Sequence, residues 1–359
     1  MRKVYNFSAG PSMLFDDVLK KAQSEMLDYN GTGMSVMEMS HRSAPYMEIS
    51  KKTQDLFKEV LNLPEGYSVL LLQGGASMQF EAVALNLLNS SKKADYIVTG
   101  NFAKKAFSEA KKFGDVVCVA SSADKNFTYI PDVDAIEYRD DADYLHITLN
   151  NTIFGTTYSH LPKTKAKLVC DMSSNILSKE MDFSAYDLVY AGAQKNIGPA
   201  GLTVVIVKDE ILGNAQDICP TMLNYSIHKD NDSLYNTPPA YSIYMAMLTL
   251  EHIVEMGGIK AIQKINEYKA GLLYDYIDGC DFYQNPVEKE FRSIMNVPFT
   301  TPSAELDAKF VKEAKVAGLE AIKGHRLVGG MRASIYNAMP VEGVETLIAF
   351  MKKFASENA

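Results

Sequence analysis

The sequence predicts an α/β fold with a largely parallel β-sheet, followed by a smaller α+β region. Up to about residue 240, short apolar runs alternate with stretches of helical spacing, as in buried parallel strands joined by helices. Beyond that point, long helical stretches are separated from only a few strand-like runs. A length of 359 residues agrees with about two domains.

Seven apolar runs are the predicted strands of the large sheet, and helical spacing places helices between them, for example around residues 78–87 and 102–110. The strands are Val69–Leu72, Tyr96–Thr99, Val116–Ala120, Tyr144–Leu149, Lys167–Asp171, Asp187–Tyr190 and Leu202–Val207. Two amphipathic helices precede the sheet, one after Gly10-Pro11 and one opening at Pro45.

The C-terminal third contributes four predicted helices and two predicted strands, the strands centring on residues 294–297 and 332–335. The helices are Tyr241–Met256, Ile259–Ile277, Ala304–Ala317 and Val341–Phe354.

Charge and composition exclude several classes of function. The 44 acidic residues exceed the 36 Lys and Arg residues, giving a formal net charge of -8, whereas non-specific nucleic-acid binding requires a basic surface. The longest aliphatic run, Val204–Val207, is far too short to span a bilayer, and no apolar signal-peptide core is present. The four cysteines are scattered without metal-ligand spacing, so we expect no metal site and a reducing, cytoplasmic location.

A glycine turn joins a predicted strand to a predicted helix at Leu72–Ser77. Backbone amides at such a helix N-terminus, uncovered by side chains, suit a phosphate group. Taken alone, the glycines are equally well interpreted as a tight turn that packs the helix on the strand. The Gly-Lys-Ser/Thr of a Walker A loop is missing, which excludes that nucleotide site.

Asp171 ends the apolar run that starts at Lys167, so its carboxylate is predicted at the carboxyl edge of the sheet, where α/β proteins place their ligands. A group of small polar residues follows it. Taken alone, this aspartate is better interpreted as the N-cap of a helix.

Lys195 lies among glycines and small residues in the segment Tyr190–Gly201, between two buried strands. A desolvated lysine has a lowered pKa and can form a Schiff base with an aldehyde. The alternative is a partly buried lysine that pairs with a carboxylate.

Together these features supply a phosphate anchor, an acid and an amine at the strand ends of one sheet. Pyridoxal 5'-phosphate needs this set, for its phosphate, its pyridine nitrogen and its aldehyde. The combination is much more specific than any one member.

Six segments, in order along the whole chain, match one enzyme family. They are Asn6–Pro11, Ser35–Arg42, Tyr190–Gly201, Asn236–Pro239, Lys323–Arg326 and Gly329–Asn337. In these segments the chain resembles the phosphoserine aminotransferases, which belong to the class V, fold-type I pyridoxal-phosphate aminotransferases. The runs Ala191–Asn196 and Met331–Asn337 are highly specific to that family.

The resemblance implies a fold-type I PLP-transferase with two domains. Residues 16–254 would form the large cofactor-binding domain on a mostly parallel, seven-stranded sheet, and residues 1–15 together with 255–359 would form a smaller α+β domain. The family also implies a homodimer whose active sites are shared across the interface.

The resemblance also assigns cofactor contacts. Lys195 would form the Schiff base with pyridoxal phosphate, and Asp171 would pair with its pyridine nitrogen. Further contacts are expected from Ala76, Ser77, Phe102, Thr152 and Gln194 and, across the interface, from Asn236 and Thr237.

Two positions depart from the pattern of some family members. The chain has no Trp, so Phe102 would stack on the cofactor ring with less area. Ser77 stands where some members carry an Arg in the glycine turn, which removes one potential ligand for a substrate phosphate.

Scarce arginines mark the substrate side, since only six of the 36 cationic residues are Arg. By resemblance, Arg332 would bind the substrate α-carboxylate. The distal anion, a phosphate or a carboxylate, would meet His41, Arg42, His325 and Arg326, partly across the interface. Taken alone, each His-Arg pair is better interpreted as a loop arginine on a carboxylate beside a satisfied histidine.

The implied reaction is a ping-pong transfer of the amino group between glutamate/2-oxoglutarate and 3-phosphohydroxypyruvate/O-phospho-L-serine. It serves L-serine biosynthesis, and in some members the related 3-hydroxy-2-oxo-4-phosphooxybutanoate of pyridoxine biosynthesis. The alternatives are another class V enzyme, such as an alanine–glyoxylate aminotransferase or a cysteine desulfurase, or a non-catalytic phosphometabolite-binding protein.

Overall fold

The computed structural model describes residues 4–359, so the first three residues of the segment predicted to join the small domain lie outside the described part. The described residues form nine α-helices. In chain order these are α1 Asp16–Ser24, α2 Ala44–Val60, α3 Gly75–Leu87, α4 Asn101–Ala110, α5 Tyr225–Asp230, α6 Ala240–Glu255, α7 Gly258–Asp278, α8 Ala304–Val316 and α9 Val341–Asn358.

Thirteen strands, four of them longer than five residues, are present within residues 4–359. They are β1 Tyr5–Asn6, β2 Tyr67–Leu72, β3 Lys93–Val98, β4 Asp115–Ser121, β5 Tyr144–Thr148, β6 Asn150–Asn151, β7 Thr156–Thr157, β8 Lys167–Asp171, β9 Leu188–Gly192, β10 Thr203–Lys208, β11 Asn296–Phe299, β12 Leu319–Glu320 and β13 Met331–Ser334.

The central sheet contains seven of these strands in the order β2-β10-β9-β8-β5-β3-β4. The neighbours from β9 to β4 are all parallel, and only β10 runs antiparallel to both of its neighbours. The predicted α/β fold with a mostly parallel, seven-stranded sheet is therefore confirmed.

Apolar side chains cover both faces of the central sheet, which explains the continuous apolar runs in the sequence. On β8, for example, Leu168 and Cys170 pack into the cluster on one face, whereas Val169 packs into the cluster on the other. Helices α2 and α6 cover the first face, and α3 and α4 cover the second. The carboxyl ends of the parallel strands meet at one edge of the sheet, between the two layers of helices.

The strand boundaries differ from the prediction most clearly at β3. Tyr96–Thr99 was expected, but the strand starts at Lys93 and ends at Val98. Asp95 lies buried inside it because its carboxylate accepts a hydrogen bond from Arg139 Nε at 2.6 Å. A paired charge inside a strand breaks the apolar pattern from which strands are predicted.

A separate apolar cluster joins the C-terminal elements to the N-terminal segment. Helices α7, α8 and α9 pack around the antiparallel pair β11 and β13, and the cluster includes Phe7 and Met13. Strand β1 also pairs in parallel with β12. The division into residues 16–254 and the remainder stays a prediction.

Among the described residues, none of the helices combines the length and the apolar character needed to cross a membrane.

Candidate active site

A cavity of about 260 Å³ opens at the carboxyl edge of the central sheet. Most of the residues predicted for the cofactor and substrate line it. These are Ala76, Ser77, Phe102, Thr152, Asp171, Gln194, Lys195, His325 and Arg332. They come from seven separate stretches of chain, so the fold, not local sequence, assembles the site.

Lys195 lies in the turn between β9 and β10, and its side chain is buried. Its Nζ donates a hydrogen bond to Thr152 Oγ1 at 2.7 Å and stands 5.8 Å from the centroid of the Phe102 ring. Burial lowers the pKa of Lys195 to about 8, the charge of Arg332 lowers it as well, and Asp171 opposes both. No carboxylate within residues 4–359 forms an ion pair with it, so the alternative of a structurally paired lysine is not what the structure has.

Asp171 ends β8 and is also buried. One carboxylate oxygen accepts a hydrogen bond from the Ser173 amide at 2.9 Å. Burial raises the pKa of Asp171, whereas hydrogen bonds from Ser173, the charge of Lys195 and the Tyr190 hydroxyl lower it. Turns, rather than a helix, follow this residue, so the interpretation of Asp171 as a helix N-cap is wrong.

The glycine turn leads directly into α3, and no side chain caps the start of this helix. Gly74 and Gly75 have φ angles of 92° and 68°, which residues other than glycine rarely adopt. A Cβ on Gly74 would stand 2.5 Å from Met78 Sδ, so the turn also packs tightly against its own helix. The first amides of α3, at Ala76 and Ser77, face the cavity as an uncapped anion-binding end.

Thr152 connects the lysine to the substrate side of the cavity. It lies in the loop of the short hairpin β6–β7, where its hydroxyl accepts from Lys195 and its carbonyl accepts from Arg332 Nη1 at 3.3 Å. Arg332 Nε is buried without a hydrogen-bond partner within residues 4–359. A guanidinium in a cavity that still has an unpartnered N–H is suited to an anionic ligand.

The arginines of the described chain fall into two groups. Arg139 and Arg292 form ion pairs with carboxylates. Arg42, Arg326 and Arg332, the three assigned to substrate, have no carboxylate partner among residues 4–359. The expectation that each His-Arg pair is a loop arginine on a carboxylate is therefore wrong.

Five predicted site residues do not line the cavity of the single chain. His41 and Arg42 precede α2, and Arg326 is exposed beside His325. Asn236 and Thr237 lie beside the glycine turn, where Gln73 Nε2 donates to the Thr237 carbonyl at 2.9 Å. Within one subunit, these five residues therefore do not share the cavity with Lys195.

Several residues of the site escaped the prediction. Ser12 bonds through its backbone N–H to the Gln194 carbonyl at 3.0 Å and through its hydroxyl to the Lys195 carbonyl. Asn150 and Ser173 line the cavity as well. The motif around Gly10 was the only sequence signal for the contact of Ser12 with Gln194 and Lys195. Gly10 packs closely there, since a Cβ on it would stand 3.2 Å from the Gln194 side chain.

The donor set fits pyridoxal phosphate. The uncapped start of α3 suits the phosphate of the cofactor, and Asp171 suits its ring nitrogen. The Lys195 amine suits its aldehyde, and the Phe102 ring can stack on a face of its pyridine. A site for an adenine nucleotide would leave Lys195 and Asp171 without a function.

Comparisons with known proteins agree with this geometry. The sequence model of the family "Aminotransferase class-V" matches residues 4–347. The phosphoserine aminotransferase of Bacillus cereus is 54% identical over 359 residues and that of Listeria monocytogenes 54% over 358 residues, covering 100% and 99% of this chain and 100% and 98% of theirs. The structure of the Bacillus circulans subsp. alkalophilus phosphoserine aminotransferase superimposes with a TM-score of 0.97 at 46% identity, covering 99% of each chain.

A more distant solved structure shares only the fold. An alanine–glyoxylate aminotransferase from Nostoc sp. superimposes with a TM-score of 0.76 at 15% identity, over 99% of this chain and 96% of that one. The family match, the full-length relatives and the cavity agree with one another. This chain belongs to the class V aminotransferase family.

Proposed function

We propose that the chain is a pyridoxal-phosphate-dependent transaminase that exchanges the amino group between glutamate/2-oxoglutarate and 3-phosphohydroxypyruvate/O-phospho-L-serine. The observation that carries the proposal is that one cavity contains the buried Lys195 amine, Asp171 and Arg332, which has no carboxylate partner among residues 4–359. The full-length likeness to phosphoserine aminotransferases supports this choice of substrates within the family.

Bound pyridoxal phosphate supplies an aldehyde that takes up the substrate's amino group and a ring that holds the electrons released from Cα. Asp171 would hold the proton on the ring nitrogen of the bound cofactor, because a buried carboxylate gains most from a cation beside it. The amides at the start of α3 would bind its phosphate, and Phe102 would pack on its ring. Gln194, packed against Gly192, fixes the edge of the site next to the lysine.

Lys195 is the acid and base of the reaction. Its lowered pKa leaves an appreciable fraction of neutral amine near neutral pH, which can accept a proton from the substrate Cα and return it elsewhere. Thr152 holds Nζ in place through the hydrogen bond of 2.7 Å.

Arg332 binds the α-carboxylate that both substrates share. Its Nη1 is already held by the Thr152 carbonyl, so the guanidinium is oriented before substrate arrives. His325 lines the same cavity, and burial together with Arg332 and Arg326 lowers its pKa. The distal anion, a phosphate in one substrate and a carboxylate in the other, would then meet His325, Arg326, His41 and Arg42.

A second copy of the chain completes this pocket. His41, Arg42, Asn236 and Thr237 stay outside the cavity of their own subunit, which agrees with their delivery from a partner in a homodimer. Exposed methionines near the first pair support an interface there, since Met34, Met37 and Met47 are between 43% and 58% exposed.

The alternatives use less of the site. A cysteine desulfurase needs a reactive cysteine near the cofactor, but none of the four cysteines lines the cavity. An alanine–glyoxylate aminotransferase has no use for the two His-Arg pairs, and a phosphometabolite-binding protein has none for Lys195. The four cysteines are all free thiols, which suits a reducing cytoplasm.

The proposal is tested by half-reactions of the holoenzyme with single amino acids. O-phosphoserine and glutamate should convert the yellow enzyme to its pyridoxamine form, whereas alanine should do so poorly because it lacks a distal anion. O-phosphothreonine and related phosphorylated amino acids test how strictly the pocket is shaped, and 3-hydroxy-2-oxo-4-phosphooxybutanoate tests a role in pyridoxine biosynthesis. Equal conversion by alanine and O-phosphoserine would contradict the proposal.

A further inference from the structure

Three buried polar side chains lie on adjacent strands, on one face of the central sheet. Asp171 of β8 is directly opposite Tyr190 of β9, and His146 of β5 is opposite Val169, two residues before Asp171. Because side chains alternate along a strand, all three point to the face that carries α3 and α4. Their exposed fractions are 5%, 0% and 1% for Asp171, Tyr190 and His146.

The three side chains form a connected path that ends at the cavity. His146 Nε2 and the Tyr190 hydroxyl are 2.9 Å apart. Tyr190 stands directly opposite Asp171 in the sheet register, and its side chain lowers the pKa of the Asp171 carboxyl, against the rise caused by burial. The His146 ring is held flat on Tyr96, with centroids 4.6 Å apart and an interplanar angle of 14°.

Hydrogen-bond satisfaction sets the direction of this path. Burial lowers the pKa of His146 to about 3, so its ring is neutral and carries one N–H. Its Nδ1 is buried without a partner within residues 4–359. A proton on Nδ1 would leave a buried N–H unsatisfied and would turn the Tyr190 hydroxyl away from the carboxylate.

A proton on Nε2 satisfies both donors. The ring then donates to the Tyr190 oxygen, which leaves the hydroxyl proton for Asp171, the residue directly opposite on β8. Only an acceptor lone pair on Nδ1 is left unused, which costs less than a buried donor. The charged or titratable groups that act on Asp171 are then Tyr190 and Lys195.

We propose that His146 and Tyr190 are positioning residues that keep Asp171 ionised and aimed at the ring nitrogen of the cofactor. The inference rests on the proposed function, since it is the pyridine nitrogen that makes an ionised carboxylate useful here. Without the hydroxyl, Asp171 retains more of the proton that it shares with the ring. The cofactor ring would then carry less positive charge. Since positive charge on the ring opposes protonation of the Lys195 Schiff base, the pKa of the Schiff base would rise.

The test is a pH titration of the visible absorption of the holoenzyme, in the wild type and in three variants. In Tyr190→Phe, the pH midpoint of the colour change should rise by about one unit, because one hydrogen bond to the carboxylate is lost. His146→Phe keeps the ring stacking and should shift the midpoint in the same direction by less. Tyr225→Phe is the matched control, since its equally buried hydroxyl bonds to Gln79 at 2.7 Å and should leave the midpoint unchanged.

The outcomes separate this inference from the proposed function. Equal midpoints in the wild type and Tyr190→Phe, or an equal shift in Tyr225→Phe, would overturn the roles of Tyr190 and His146 while the yellow wild type upheld the proposed cofactor. A wild type without a visible band would overturn the proposed function itself. If Tyr190→Phe does not fold, the midpoint of His146→Phe decides: a rise supports the inference and no rise overturns it.

Discussion

At the scale of single residues, burial of a lysine does not by itself mark a catalytic group. Lys269 is more deeply buried than Lys195, and burial lowers its pKa to about 7. Its Nζ nevertheless donates to three backbone carbonyls, those of Ile335, Tyr336 and Met339, at 2.9–3.2 Å. Three acceptors use all the protons of an ammonium group, whereas the one hydroxyl that Lys195 contacts leaves its amine available for chemistry.

Arg332→Leu should impair every substrate through its α-carboxylate. Losing a charged, two-pronged contact costs about 2–4 kcal/mol, or roughly 30- to 1,000-fold in kcat/KM. Arg292→Leu is the control, because Arg292 pairs with Asp278 away from the cavity and should leave the kinetic constants unchanged. Steady-state kinetics with glutamate and with O-phosphoserine measures both. A loss confined to O-phosphoserine would place Arg332 at the distal anion instead.

The lowered pKa of Lys195 predicts how the apoprotein captures its cofactor as pH rises. A depressed pKa means that the neutral amine, which attacks the aldehyde, predominates above pH about 8 rather than above the ordinary 10.5. The rate of pyridoxal phosphate uptake, followed by visible absorbance, should therefore rise up to about pH 8 and level off above it. A rate that keeps rising through about pH 10 would contradict a desolvated lysine.

At the scale of elements, the start of α3 combines a strained turn with an anion-binding end. Gly75→Ala places a side chain at a φ of 68°, and we expect this to cost about 1 kcal/mol of stability and to tilt the first amides away from the phosphate. Gly213→Ala is the matched control: Gly213 has a φ of 95° and open space for a Cβ, as Gly75 has, but it lies outside the cavity.

Both glycine variants should melt at similarly lowered temperatures, whereas only Gly75→Ala should release pyridoxal phosphate more readily on dialysis. Equal retention of the cofactor by the two variants would contradict the assignment of the start of α3 as the binding site of the cofactor phosphate.

The elements that could be predicted are those with continuous apolar runs or clear helical spacing. Strand β8 matches its prediction residue for residue, and its last residue, Asp171, lies at the sheet edge as expected. The hairpin β6–β7, which carries Thr152 in its loop, was not predicted because two-residue strands leave no periodic signal. The Asp171–Tyr190–His146 path could not be predicted either, since strand order and register are set by tertiary packing.

At the scale of the whole molecule, local placement of charge outweighs its sum. A net charge of -8 excludes a polyanion such as nucleic acid, but it leaves a small dianion possible. Three of the six arginines have no carboxylate partner among residues 4–359 and are the ones assigned to substrate. We also propose that residues 16–254 and the remaining chain form two domains, because separate apolar clusters occupy the central sheet and the C-terminal elements.

Shared active sites predict complementation between two inactive variants. In a mixed dimer of Lys195→Ala and Arg42→Leu, one site would combine the intact lysine of one subunit with the intact Arg42 of the other. Unfolding and refolding an equal mixture should then recover about a quarter of the wild-type activity, because half of the dimers are mixed and each has one complete site. Each variant refolded alone is the control, and a mixture no more active than these controls would place Arg42 in the site of its own subunit.

The central claim is that Lys195 holds pyridoxal phosphate. Reducing the yellow holoenzyme with borohydride fixes the Schiff base as a stable amine, and peptide mapping by mass spectrometry then locates the modified lysine. The label should be found on Lys195 and on neither Lys105 nor the more deeply buried Lys269, and Lys195→Ala should show neither the visible band nor a label. A label on another lysine, or a visible band that persists in Lys195→Ala, would contradict the assignment.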